Sequence, residues 1–82
     1  MFPRMTPVDS GDRSAVSLTV NGAARTAPRG ATLADLLHTL DLDPRLIVVE
    51  RNGVILHDRT AYGTQPLDSG DVLELVHFVG GG

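Results

Sequence analysis

The chain contains no cysteine, no lysine and no tryptophan, and only three aromatic residues, Phe2, Tyr62 and Phe78. Without cysteine there are no disulfides, no thiolate metal sites and no nucleophilic thiol. The histidines, His38, His57 and His77, are scattered and have no partners at metal-ligand spacing, so no metal site is expected. Scarce aromatics require an aliphatic core. No apolar run approaches the ~20 residues that span a bilayer. The first residues lack the apolar core of a signal peptide, which implies a cytoplasmic protein with no membrane partner. All seven basic residues are arginine and the net charge is −3. An acidic chain without a basic patch or interleaved aromatics argues against nucleic acid as a partner.

What is present suits a folded carrier or binding module. Eighty-two residues, 41% hydrophobic and 21% charged, make one small domain. So short a chain has little room for both a fold and an enclosed active site. Residues 1–14, rich in Pro, Asp, Ser and Gly, read as a disordered leader in which Met5 is an alternative start.

From Ala15 the pattern becomes regular. Val16, Leu18 and Val20 alternate with Ser17 and Thr19, a half-buried strand. Asn21-Gly22 supplies the positive-φ pair of a tight hairpin, and Ala24 to Ala27 returns as a weak second strand before Pro28. Thr32 and Asp35 form a capping-box-like pair ahead of Leu33, Leu36, Leu37 and Leu40, one face of an amphipathic helix. Asp41 and Asp43 suit the helix end poorly, and Pro44 forbids continuation. Leu46 to Val49 reads as a central strand under the helix. Asn52-Gly53 then turns into Val54–Leu56. Residues 57–65 are polar and irregular, with Tyr62 as an anchor, and a loop from Pro66 to Asp71 positions Leu67.

The last strand ends in three glycines. Glu74 does not bury unpaired, so its face, shared with Val72, Val76 and Phe78, points away from the helix, while Leu73 and Leu75 point inward. Val76 and Phe78 then form either an exposed docking patch or a surface covered by a loop. Behind them come Val79, Gly80, Gly81 and Gly82. Glycine lacks a Cβ, so this arm fits a channel too narrow for other residues. Extended, Val79 to Gly82 reaches roughly 13 Å at about 3.3 Å per residue.

Two hairpin strands, a leucine-faced helix and a final strand beside the first describe an α+β fold, the ubiquitin-like β-grasp, with four to five strands on one helix. The segments VNG (20–22), ATLADLL (31–37), VVERNGVIL (48–56) and PLDSGDVLELVHFVGGG (66–82) resemble the ThiS family of thiamine-biosynthesis sulfur carriers. The resemblance covers Val16 to Gly82 and implies a β-grasp domain over 15–79 with a flexible tail over 80–82. It assigns the reactive carboxylate to Gly82, with Gly80 and Gly81 as the rest of the tail. It also implies a carrier, monomeric when free and not itself an enzyme, that binds no cofactor. A ThiF-type adenylating enzyme would supply ATP and Mg²⁺ chemistry, and a ThiG-type thiazole synthase would accept the sulfur. Related carriers for molybdopterin, cysteine synthesis or tRNA thiolation share the tail chemistry and stay open. So do a ubiquitin-like protein modifier and a plain interaction module.

Overall fold

The computed structural model describes residues 14–77. Five strands form one mixed sheet: β1 (Ala15–Val20), β2 (Ala23–Pro28), β3 (Ile47–Arg51), β4 (Val54–Ile55) and β5 (Val72–His77). Their order is β2-β1-β5-β3-β4, with β1 and β5 parallel and the other pairs antiparallel. The single α-helix among the described residues, α1 (Leu33–Thr39), covers one face. This is the ubiquitin-like β-grasp arrangement, reached because period-2 and period-3.6 apolar patterns point at one another.

The core is aliphatic. Val16, Leu18 and Val20 of β1, Ile47 and Val49 of β3 and Leu73 of β5 meet Leu33, Leu36 and Leu37 of α1. Tyr62, in a 3₁₀ turn over Arg59–Gly63, is buried and donates its hydroxyl to the carbonyl of Ile47 at 3.1 Å. It anchors that connection against β3, because a buried phenol requires a partner.

The ends of α1 follow from particular side chains. The hydroxyl of Thr32 accepts from Asp35 N–H, and the Asp35 carboxylate accepts from Thr32 N–H at 2.9 Å, a reciprocal capping box. The C-terminus corrects the sequence expectation. Asp41 closes the helix well: it takes positive φ (62°), and its N–H donates to His38 while Leu42 N–H donates to Leu37. This double bond pattern is a Schellman motif with Asp in the place glycine usually holds, and it turns Leu42 back onto the core. Asp43 likewise caps the following 3₁₀ turn (Pro44–Leu46) by accepting from Arg45 N–H at 2.9 Å. Hydrogen bonds from the Arg45 side chain and backbone hold the Asp43 carboxyl down to about 2.

Two strand expectations also shift. Leu46 belongs to the 3₁₀ turn, and β3 begins at Ile47 because Pro44 at the first turn position starts a helical bend. β3 is next to the edge, and β5 holds the centre of the sheet. Pro28 ends β2 from within, on the sheet's edge strand where a missing N–H is tolerated.

Candidate functional site

The site is built on β5, whose alternation sends its two faces to different environments. Leu73 is fully buried beneath the helix, and Leu75 is half-buried beside the core. On the opposite face Val72 is 46% and Val76 57% exposed, with Glu74 exposed between them. The parity expectation holds for these residues, and no described loop covers Val76. Phe78, Val79, Gly80, Gly81 and Gly82 lie outside the described residues, as does the leader up to residue 13.

The neighbours of this face come from β3 and β4. Val48 stands opposite Val76, and Glu50 stands opposite Glu74. Ile55 of β4 continues the row beyond Glu50. Leu46, exposed, immediately precedes β3 at the level where β5 ends. The surface is thus an apolar patch (Val48, Val72, Val76, Ile55) with two carboxylates set into its middle. Neither carboxylate has a hydrogen bond or ion pair among the described residues. Sequence reasoning found the β5 half of the patch. Val48, Glu50 and Ile55 were missed, although the same parity argument applied to β3 points Val48 and Glu50 outward.

β5 is held on both sides by the two hairpin asparagines. Asn21 and Asn52 each open an Asn-Gly turn at positive φ (49° and 52°). Asn21 N–H donates to Leu73 O, its side-chain oxygen accepts from Leu75 N–H at 2.7 Å, and its amide donates to Leu75 O at 3.3 Å. The side chain therefore extends the β1–β5 pairing past the point where β1 turns away. Asn52 does the same from the other side: its oxygen accepts from Val72 N–H at 2.8 Å, and its backbone N–H donates to Val72 O.

Beneath the start of β5 lies a charged network. Arg51 pairs with Asp71 at 2.7 Å and with Asp68 at 3.2 Å, and it donates to the carbonyl of Pro66. Asp71 is only 5% exposed. It accepts from Asn52 at 3.0 Å and from Asp68 N–H at 2.9 Å. Burial alone would raise its pKa. The hydrogen bonds from Asp68 N–H, Asn52 and Arg51, with the Arg51 charge, outweigh that and lower it. The arrangement explains why ERNG and GD stand where they do. Arg51, Asn52 and Asp71 tie the β3–β4 turn to the loop that launches β5, a positioning role the sequence reading left unassigned. The only sequence signal was the pairing of turn motifs with charges next to them.

What this geometry offers is a rigid central strand, braced on both sides, that carries an exposed apolar face toward the chain's last residues. A model of the ThiS family matches residues 18–82, through the final glycine. The chain belongs to the ThiS family. It is 43% identical over 51 residues to the sulfur carrier protein ThiS of Bacillus subtilis, covering 62% of this chain and 76% of that one. A thiazole synthase of Magnetococcus marinus is 41% identical over 63 residues, 77% of this chain. The chain spans about a fifth of the length of the thiazole synthases it matches. Among solved structures, the crystal structure of the thiamine biosynthesis protein ThiS from Geobacter metallireducens superposes with a TM-score of 0.68. That pair shares 33% identity, over 82% of this chain and all of that one. The ThiS-family fold is therefore present with its central strand intact.

Proposed function

We propose that this chain is a sulfur carrier of thiamine biosynthesis, loaded at Gly82. The observation that carries the reading is the family match, which extends from residue 18 to Gly82 and so past the braced strand. A carboxylate is a poor electrophile because its charge is shared by two oxygens. Its attack on the α-phosphorus of ATP, with pyrophosphate leaving, gives an acyl-adenylate. Sulfur at the sulfide level (HS⁻) then adds to the acyl carbon and AMP departs as the acyl–oxygen bond breaks, leaving a thiocarboxylate and a released proton. Adenylation and the Mg²⁺ it needs belong to a ThiF-type enzyme, so the carrier acts as co-substrate and holds no cofactor itself. A ThiG-type thiazole synthase in the cytoplasm consumes the sulfur. The likeness to thiazole synthases favours that destination over molybdopterin, cysteine or tRNA thiolation.

In this reading the carrier supplies position. Gly80 and Gly81 let the backbone approach the nucleotide closely. Ordering the tail costs roughly 1–2 kcal/mol of backbone entropy per residue. Docking through Val76, and through Phe78 and Val79 that follow it in the sequence, offsets that cost. The test incubates the full chain and a variant lacking Gly82 with adenylating enzyme, ATP, Mg²⁺ and a sulfur source, then measures intact mass. The full chain gains the oxygen-to-sulfur mass difference and the shortened one does not, while both melt alike. Sulfur loading of the shortened chain would remove Gly82 from its role. Higher-mass conjugates with other proteins would favour a protein modifier instead.

A further inference from the structure

Away from the β5 face, one edge of the sheet is formed by β2. Among the described residues β2 is the sheet's outermost strand and pairs only with β1. Asn21-Gly22 is a two-residue hairpin loop, so Val20 and Ala23 flank it as partners. In such a hairpin the flanking pair exchanges both backbone bonds, and alternate pairs follow suit. Ala23, Arg25 and Ala27 therefore turn their backbone groups toward β1. The β1 side agrees: Thr19 and Asn21 send their N–H groups the other way, to Asp71 and Leu73. The N–H and C=O of Ala24 and Thr26 are left on the open edge.

Behind this edge a groove of about 330 Å³ runs between β2 and α1. Ala27, Ala31 and Leu36 line its apolar part, and Arg25 stands at its side. Arg25 shares the helix-side face with its partner Leu18, yet is itself exposed, and no described residue forms an ion pair or hydrogen bond with its guanidinium. Asp35, which also lines the groove, is committed to capping α1.

We propose that β2 accepts an extended acidic segment of a partner protein as a sixth strand. The backbone edge demands an extended chain. The side chains choose its character. The residue facing Arg25 across the new pair is Asp or Glu, and an aliphatic residue two positions away, on the same face, enters the groove beside Ala27 and Leu36. The charge also rules against a second copy of this chain. Two β2 edges paired antiparallel through Ala24 and Thr26 would set Arg25 against Arg25, and like charges directly opposite destabilise a sheet. This surface lies at the far edge from Val48 and Val76, so it adds a contact without competing for the tail.

The test uses the full chain, isotopically labelled, titrated with the capped peptide Thr-Val-Thr-Glu-Thr-Val-Thr and followed by amide chemical shifts. Shifts are expected at Ala24, Arg25, Thr26, Ala27, Ala31 and Leu36. Arg25→Glu is expected to weaken binding roughly three- to tenfold, and a Lys-for-Glu peptide to recover it on that variant. Thr26→Pro removes an outward N–H on an edge strand, where proline is tolerated, and is expected to weaken binding while a melt confirms folding. If that variant unfolds, the charge exchange at Arg25 decides alone. Shifts confined to Val48 and Val76, an Arg25→Glu variant that binds unchanged, or β2 shifts that follow protein concentration without peptide would each overturn the proposal. So would β2 shifts produced merely by removing residues 1–13, since the edge would then belong to the chain's own N-terminal segment.

Discussion

The two faces of β5 have almost the same composition and opposite duties. Leu73 and Leu75 look toward the helix, and Val72 and Val76 look toward solvent. Aliphatic side chains on both faces are what a central strand buried on both sides would show, yet only one face is covered among the described residues. The covered face supplies stability, and the open one leaves apolar area in solvent. The comparison breaks most visibly with truncations. Leu73→Ala is expected to destabilise the domain by about 2–5 kcal/mol, since the side chain is wholly buried and leaves a cavity. Val76→Ala is expected to stay within about 0.5 kcal/mol, as exposed substitutions usually do. Thermal or urea melts of the two variants check this directly. Equal losses would mean that Val76 is core in solution.

Next in size is the ionic anchor at the start of β5. Asp71→Asn keeps the shape but leaves Arg51 with only the exposed Asp68 as a counter-charge. Breaking such a pair is expected to cost about 2–4 kcal/mol. The pH dependence has a definite sign. The folded pKa of Asp71 is lowered, so its contribution is complete above the unfolded carboxylate value of about 3.9. It is lost as pH falls through the lower folded value. Melting temperature should be level near neutrality and fall below about pH 4, with a shallower acid slope in the Asn variant. Asp43 and Asp58, also lowered, keep part of that slope in both proteins. An unchanged slope in the variant would show that Asp71 is not the group responsible.

A smaller effect separates turn from clamp. Asn21→Gly preserves the positive φ of the hairpin and deletes only the side-chain bonds to Leu75. About 1 kcal/mol is expected, the usual net worth of a hydrogen bond. The more telling readout is local: exchange of the Leu75 amide should accelerate while that of Leu18 does not. Uniform acceleration would make Asn21 a plain turn residue.

These contrasts show which parts of the molecule were legible in the chain. The period of the leucines gave α1, Thr32 and Asp35 gave its start, and the two Asn-Gly pairs gave the hairpins, because each depends on neighbours within a few residues. The parity of β5 followed from one residue, Glu74, that does not bury alone. What stayed hidden depends on distant partners. Asp41 looks wrong for a helix end until Leu42 is seen folding onto the core. Arg51 and Asp71 are 20 positions apart, and only the β3–β5 register brings them together. The Asn side chains look like turn formers, and their bonds to β5 follow from the parallel β1–β5 pair for Asn21 and the antiparallel β3–β5 pair for Asn52, long-range pairings that no local pattern encodes. The patch was half legible for the same reason: Val48 and Glu50 join it through register.

That register also creates the least comfortable contact on the open face. Glu50 and Glu74 are direct cross-strand partners with no described cation beside them. Opposed like charges on a sheet destabilise it, by up to about 1 kcal/mol. Glu74→Gln should therefore raise the stability of the free domain slightly, by about 0.2–0.5 kcal/mol where solvent screens the pair. The same change should slow association with the proposed adenylating partner at low salt, because the paired carboxylates make a concentrated field within an apolar surround. Raising ionic strength should shrink the difference between wild type and variant, as screening removes the steering. Stopped-flow association at two salt concentrations, beside a melt of each protein, separates the two effects. A variant that is more stable yet associates equally fast at low salt would mean that the opposed glutamates burden the fold without serving the partner.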